Sequence, residues 1–187
     1  MKRILILYST TDGHTKVICE KIKNILEEAF IVDLHSIQET QEDLKVLTKN
    51  FETVIIGASI RYGKHSNDLY SFIENNTSNT NPDSNFLTSQ NNTAFFSVNA
   101  VARKAEKNTP ETNPYIKQFL QISKWKPKKI AVFAGKVDYP QYSFFDKYMI
   151  RLIMWITKGP TDISKTFEFT DWDKVEEFAH EIKKNTV

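Results

Sequence analysis

Hydrophobic and polar positions alternate along the start of the chain in blocks of strand and helix type. Ile4-Leu5-Ile6-Leu7-Tyr8 is a continuous apolar run of strand length, as expected of a strand covered on both faces in a parallel sheet. After a polar turn, apolar residues recur at helical spacing at Ile18, Ile22, Ile25, Leu26 and Ala29. The pattern predicts a strand, a turn and an amphipathic helix.

Four more apolar runs predict strands, at residues 30–34, 53–60, 94–98 and 130–134. Helical spacing recurs at 69–73, 115–122 and 175–182, and residues 166–169 form a short further strand. Neighbouring parallel strands must be joined by right-handed crossovers, and the segments between the predicted strands are helical. The alternation of strands and helices therefore predicts an α/β fold: a doubly wound, five-stranded parallel sheet with helices on both faces. Such sheets bind ligands outside the carboxyl ends of their strands, where the strand order switches.

Two segments depart from this pattern. Residues 75–92 are dominated by Asn, Ser and Thr, which predicts a polar surface loop. Residues 136–160 are rich in aromatic side chains, and a helix over 146–157 would place Lys147, Arg151 and Lys158 on one side of an otherwise apolar surface. The sequence therefore predicts an aromatic, basic helical insertion near the last strand.

Composition narrows the class of protein. The chain has 187 residues, 40% hydrophobic and 26% charged, so we expect a single globular domain over residues 1–187. Cys19 is the only cysteine, which excludes an intrachain disulfide and predicts a reducing compartment. The first apolar run is too short for a signal peptide. The sequence has no uninterrupted run of about 18 apolar residues, so it predicts no helix that spans a membrane.

The first turn, residues 9–15, has the composition of a phosphate cradle. Thr10, Thr11 and Thr15 offer hydroxyls, Gly13 allows close backbone approach, and the following helix presents free amides and a positive dipole end. The turn lacks the lysine of a nucleoside-triphosphate loop and the G-x-G-x-x-G pattern, so one terminal phosphate fits better than a pyrophosphate. The alternative is an ordinary hydroxyl-rich helix cap. We expect His14 to cap the helix or contact phosphate rather than act as a base.

The turn Tyr8-Ser9-Thr10-Thr11-Asp12-Gly13-His14-Thr15 resembles the phosphate loop of flavodoxins. This resemblance implies FMN as cofactor, with its phosphate held by Ser9, Thr10, Thr11, Asp12, Gly13, His14 and Thr15. It implies that Ala58, Ser59, Ile60, Arg61, Tyr62 and Gly63 border one side of the flavin. It also implies that Ser97, Val98, Asn99 and Ala100 border the other side, with Asn99 at the pyrimidine edge. Asp12 stands where a hydroxyl is usual, so it must point away from the phosphate or cap the helix.

Further segments give a narrower resemblance. These are residues 57–63, 96–99, 101–104, 109–113, 148–150 and 170–172, which are similar to the flavodoxin-like, quinone-dependent protoporphyrinogen IX dehydrogenases of bacterial haem biosynthesis. The resemblance implies oxidation of protoporphyrinogen IX to protoporphyrin IX, with electrons passed to menaquinone or ubiquinone. The flavin would be the redox centre. No protein acid or base is identified, and no metal site is expected.

A basic stripe on an apolar helix suits anionic lipids, a porphyrin with propionates, or both. The residues assigned to substrate or membrane are Arg103, Lys104, Tyr139, Tyr142, Lys147, Arg151 and Trp155. We therefore expect a peripheral protein on the cytoplasmic side of the inner membrane. The alternative is that the helix packs its apolar face on the domain. The sequence leaves a homo-oligomer open.

Other functions stay in competition. A flavodoxin-type electron carrier would have no need of residues 136–160, and an NAD(P)H:quinone reductase would consume nicotinamide directly. A phospho-receiver domain needs carboxylates at the first and third strand ends, where this chain has Tyr8-Ser9 and Ala58-Ser59. Nucleic-acid binding is not expected, because only scattered lysines support it.

Overall fold

The computed structural model describes residues 1–39, 51–77, 86–89 and 92–186. Its central sheet has five parallel strands in the order β2-β1-β3-β4-β5. The strands are β1 (Arg3–Ser9), β2 (Ile31–Ser36), β3 (Thr53–Ser59), β4 (Asn92–Asn99) and β5 (Lys129–Ala134). The predicted doubly wound sheet is confirmed, because the order reverses direction at β1 and places the switch point between β1 and β3.

Helices cover both faces of the sheet. They are α1 (His14–Leu26), α2 (Asn67–Asn75), α3 (Phe86–Ser89), α4 (Pro114–Ile122), α5 (Phe144–Ile156) and α6 (Trp172–Thr186). The apolar sides of α1 and α6 pack on one face of the sheet, and those of α2 and α4 pack on the other. Each of these helices buries the stripe that its apolar periodicity predicts.

The short helix α3 lies inside the segment predicted as a polar loop. Leu87 is 1% exposed and joins the core on the α2 and α4 face. A single buried leucine among polar residues produces no periodicity, so the pattern does not reveal it. Residues 78–85, 90 and 91 of that segment lie outside the described residues.

The insertion forms a small unit beside the main sheet. β6 (Lys136–Asp138) pairs antiparallel with β7 (Thr166–Glu168), and α5 runs between them. The pattern predicts a helix over 146–157, two residues later than the observed start, because Ser143 is the N-cap and accepts a hydrogen bond from the Asp146 amide. Among the described residues, no helix is long and apolar enough to cross a membrane.

Candidate functional site

A cleft opens at the carboxyl ends of β1, β3 and β4, at the switch point. Its empty volume, including the open solvent at its mouth, is about 870 Å³. The phosphate loop (residues 9–15), the second loop (residues 58–63) and the third loop (residues 97–100) all contribute to its lining, and so does the insertion. The insertion is therefore part of the site.

The phosphate loop fits a phosphate group. Gly13 is the N-cap of α1 at φ 80, in the left-handed region, and it supplies no side-chain cap, so the first-turn amides are left for a ligand. The Gly13 N–H donates to Thr10 Oγ1 at 3.0 Å, which fixes the turn. Thr15 Oγ1 is buried and has no partner within the described part of the chain. An unpaired buried hydroxyl beside uncapped amides suits an anion.

His14 ties the phosphate loop to the end of β5. Thr170 donates its hydroxyl hydrogen to the Ala134 carbonyl at 3.0 Å, so it accepts from His14 Nε2, which lies 2.6 Å away. Burial lowers the pKa of His14 and favours the neutral ring. Because Gly13 is the N-cap, the expectation that His14 caps α1 is wrong. Contact with phosphate stays a prediction.

Arg61 connects the phosphate loop to the insertion. Its Nη1 lies 2.8 Å from Asp12 Oδ2, and its Nη2 lies 3.0 Å from Asp146 Oδ2. The guanidinium carbon lies 5.1 Å from the ring centre of Tyr62 and 5.2 Å from that of Tyr142. The Tyr62 hydroxyl also donates to Asp146. Burial raises the pKa of Asp12, and Arg61 opposes that rise. Asp12 thus pairs with Arg61 and does not cap α1.

The third loop is ordered by a buried polar network. Asn99 Oδ1 accepts from the Ala102 amide at 3.1 Å and from Asn113 Nδ2 at 3.2 Å. Asn99 Nδ2 lies 3.3 Å from Ser97 Oγ, which lies 3.1 Å from His65 Nε2. The Asn99 side chain is thus committed inside the protein. Contact of the loop amides and of Asn99 with the pyrimidine edge stays a prediction.

His65 forms the buried end of that network, next to Ser97. It is fully buried among the rings of Tyr70, Phe95 and Phe119, and burial lowers its pKa to about 4. The ring is therefore neutral at physiological pH. Sequence reasoning missed His65, because a histidine just beyond a strand end gives no local signal of burial.

Arg103 closes the carboxyl end of α5. Its Nη2 donates to the Thr157 carbonyl at 2.8 Å and to Thr157 Oγ1 at 2.9 Å, and its Nη1 donates to the Ala100 carbonyl at 2.7 Å. A cation at a helix carboxyl end also opposes the helix dipole. Arg103 lines the cleft, so its predicted contact with an anionic ligand group would have to share the guanidinium with these carbonyls.

The insertion helix has an inner and an outer face. Its inner face closes the cleft, and the residues that do so are Ile150, Ile153, Met154 and Thr157. On the outer face, Arg151 and Trp155 line a shallow groove with Tyr148. Tyr139, predicted at the substrate or membrane surface, is instead fully buried and donates to the Pro160 carbonyl at 2.8 Å. It therefore anchors the insertion.

The cleft brings together most of the residues predicted from the loops. Those that line it are Thr10, Asp12, His14, Thr15, Ser59, Ile60, Arg61, Tyr62, Gly63, Val98, Asn99, Ala100, Arg103 and Tyr142. The predicted residues outside the lining are Ser9, Thr11, Gly13, Ala58, Ser97, Lys104, Tyr139, Lys147, Arg151 and Trp155. Residues that sequence reasoning missed also line it, namely Val101, Tyr115, Gly135, Lys136, Val137, Ile150, Ile153, Met154 and Thr157.

The sequence of the chain is similar to a known domain family and to curated relatives over most of its length. The family model described as a flavodoxin domain matches residues 5–164. A protoporphyrinogen IX dehydrogenase (quinone) of Escherichia coli (strain K12) is 40% identical over 184 residues, covering 96% of this chain and 94% of the relative. One from Leishmania major is 41% identical over 180 residues, covering 96% of this chain and 74% of the relative.

Solved structures support the fold alone. Flavodoxin 2 of Bacillus cereus matches with a TM-score of 0.52 and 16% identity, over 98% of this chain and 99% of that one. An archaeal flavodoxin matches with a TM-score of 0.51 and 14% identity, over 98% of both chains. Because the sequence identities to these structures are low, the matches show the fold and not the function. The function has to be inferred from the site and from the sequence relatives.

Proposed function

This chain belongs to the flavodoxin-domain family and, within it, to the quinone-dependent protoporphyrinogen IX dehydrogenases, and from that premise we propose its function. It is an oxidoreductase that converts protoporphyrinogen IX to protoporphyrin IX and delivers the electrons to a quinone. The observation that carries this conclusion is the similarity to that family over nearly the whole chain. The cofactor is FMN.

When bound, FMN would supply two-electron redox chemistry, so the oxidation of protoporphyrinogen IX takes successive two-electron steps, each followed by transfer of the electrons to quinone. The residues of the chain bind and orient it. Thr10, Thr15 and the first-turn amides of α1 suit the phosphate, and the loops after β3 and β4 border the rest of the cleft. The apolar residues on the inner face of α5 line the cleft and would exclude water from a porphyrinogen or quinone ring bound there.

The test is turnover by purified, FMN-loaded protein. Anaerobic incubation with protoporphyrinogen IX and either menaquinone or ubiquinone should produce porphyrin fluorescence, and omission of the quinone should abolish it. Turnover that requires NAD(P)H would favour a nicotinamide-dependent quinone reductase. A protein that binds FMN but oxidises no porphyrinogen with any quinone would be an electron carrier, and the assignment would be wrong.

We further propose that the outer face of α5 docks on an anionic membrane surface. Large apolar side chains are exposed there, including Phe144 (79%), Phe145 (73%), Trp155 (69%) and Ile156 (65%). Lys147 and Arg151 lie on the same helix, and its one carboxylate, Asp146, is paired with Arg61. An apolar helix with net positive charge suits anionic lipid at the membrane interface, where a long-tailed quinone is dissolved. This supports the predicted peripheral location.

Vesicle co-sedimentation tests the docking with a matched pair of substitutions. Ile156→Ala should weaken binding to vesicles that contain phosphatidylglycerol, because an exposed isoleucine loses its apolar contact with the bilayer. Ile122→Ala is the control, since Ile122 is 56% exposed on α4, away from the insertion. Equal loss with both variants, or equal binding to neutral and anionic vesicles, would contradict the proposal. A concentration-dependent dimer that buries this face would identify a second copy as its partner instead.

A further inference from the structure

Arg61 pairs with carboxylates from two segments that are distant in sequence. Asp12 belongs to the phosphate loop, and Asp146 belongs to the first turn of α5. The guanidinium also lies between the rings of Tyr62 and Tyr142, and its side chain is 19% exposed. Such a planar, five-donor group can satisfy two carboxylates in fixed directions, which an ammonium group cannot do.

The first consequence is electrostatic. Asp12 stands between Thr10 and Thr15, the threonines that line the phosphate end of the cleft, so its carboxylate would repel a phosphate dianion bound there. Arg61 donates to both oxygens of that carboxylate, at 3.1 and 2.8 Å. The pairing holds Asp12 toward Arg61 of the second loop and offsets its charge where an anion must bind.

The second consequence is mechanical. In the first turn of α5, Phe144 and Phe145 are exposed and contribute little packing. Within the described residues, the polar contacts between this turn and the second loop run through Asp146, which Arg61 and Tyr62 both contact. The opposite end of α5 is held separately by Arg103. Asp146 is thus the link between the start of α5 and the cleft.

We propose that Arg61 is a positioning residue with two separable effects: it offsets the charge of Asp12 beside the cofactor phosphate, and it fixes the start of α5 over the cleft through Asp146. The proposal rests on the proposed function only in taking FMN as the ligand. An ordinary surface ion pair would do neither, because such pairs contribute little.

Fluorescence titration of apo-protein with FMN tests the electrostatic effect by a double-mutant cycle. Arg61→Gln should weaken FMN binding about tenfold, because Asp12 is left unpaired near the phosphate. Asp12→Asn should tighten binding by a few fold, and the double variant should bind within about threefold of the wild type. If the double variant binds as weakly as Arg61→Gln, Arg61 acts on FMN directly, and charge cancellation is excluded.

Hydrogen exchange of residues 144–156 tests the mechanical effect without any turnover. Asp146→Asn should speed exchange in this segment by about tenfold and leave the FMN affinity unchanged. Asp162→Asn is the matched control, since Asp162 pairs with Lys165 outside the helix and the cleft. Unchanged exchange in Asp146→Asn would overturn the mechanical part of the proposal.

Arg61→Lys separates the two effects in one folded protein. It keeps the positive charge but loses the planar fork, so FMN affinity should stay within about threefold while exchange of residues 144–156 rises. Loss of FMN affinity with unchanged exchange would contradict both parts. Failure of the wild type to bind FMN would refute the proposed cofactor, whereas the exchange measurements on apo-protein would still decide the role of Asp146.

Discussion

The body of the protein, which is the five-stranded sheet with α1, α2, α4 and α6, is held together differently from the insertion at residues 136–160. In the body, β4 buries every residue after its first, and Phe95 stacks on Phe119 with ring centres 4.0 Å apart. In the insertion, α5 buries only Met154 among its 13 residues. Apolar burial therefore fixes the body, while the insertion has only a small buried cluster of Val137, Tyr139 and Met154.

In the insertion, polar contacts hold α5 and the segments around it in position. Arg103 binds the end of α5, Arg61 binds its start, and the Tyr139 hydroxyl binds the Pro160 carbonyl. Such contacts specify position with modest stability, because each replaces a contact with water. The difference teaches that a few directed polar groups and a small apolar cluster position the insertion over the cleft, while the apolar outer face of α5 stays exposed.

The largest expected effect compares two phenylalanines. Phe95→Ala should lower the free energy of unfolding by about 3–5 kcal/mol, because Phe95 is fully buried. Phe145→Ala should change it by less than about 0.5 kcal/mol, because Phe145 is 73% exposed. Urea unfolding of the apo-protein measures both, and Phe95→Leu serves if the alanine variant does not fold. A cost above about 2 kcal/mol for Phe145→Ala would show that the outer face is packed in solution and would remove the contrast.

The same contrast explains what the sequence could predict. Strands and helices of the body follow from apolar runs and helical spacing, because each buries a continuous local pattern. The helix predicted at 146–157 is observed at Phe144–Ile156, although it buries only Met154. The three loops follow from the rule that parallel strands present their carboxyl ends at one edge of the sheet.

The partners of single polar groups could not be predicted. Arg61 and Asp12 are 49 positions apart, and Tyr62 and Asp146 are 84 positions apart, so local periodicity carries no information about their contact. The inward turn of Asn99 depends on Asn113, which α4 brings under the third loop. Directed tertiary contacts of this kind place both the insertion and the third loop.

A second prediction concerns pH, and it affects the body through His65. The folded pKa of about 4 is below the ordinary value of 6.5, so the unfolded chain takes up a proton first as pH falls. The stability associated with neutral His65 is fully present above pH 6.5 and is lost as pH falls toward 4. Between pH 7.5 and pH 5, we expect a loss of about 2 kcal/mol in the free energy of unfolding.

Urea unfolding at the two pH values measures this loss, and His65→Gln provides the comparison. The variant is expected to be less stable at pH 7.5 but to lose less stability on acidification, because it has no group that titrates at that position. The contacts of Asp146 should persist at pH 5, since hydrogen bonding from Tyr62 lowers the pKa of its carboxyl. Equal pH dependence of wild type and variant would show that His65 is not the buried neutral group.

A third prediction separates binding from stability with two buried threonines of the body. Thr15→Val should weaken FMN binding by about 1.5–3 kcal/mol, because it removes a donor to a charged phosphate. It should leave the apo-protein equally or more stable, since Thr15 Oγ1 has no partner in the described structure. Thr53→Val should instead lower the stability of the apo-protein and leave FMN binding unchanged. Thr53 Oγ1 lies 2.9 Å from Thr186 Oγ1, and this contact is outside the cleft. Titration with FMN and urea unfolding measure the two effects. Normal FMN affinity in Thr15→Val would contradict the phosphate site.

The smallest expected effect is local to the insertion. At Gly159, an added Cβ would lie 2.4 Å from Met154 Cε and 2.8 Å from Arg103 Nη2, so Gly159→Ala must displace the groups that hold the end of α5. Because Arg103 and the methionine side chain can shift, we expect a cost of about 1 kcal/mol, seen as faster hydrogen exchange of residues 144–156. Gly57→Ala is the comparison in the body, where the added Cβ would lie 2.2 Å from Phe96 Cζ in the closed core and should destabilise the whole protein. If Gly159→Ala also speeds exchange throughout the sheet, the insertion unfolds together with the body, and the two regions are one cooperative unit.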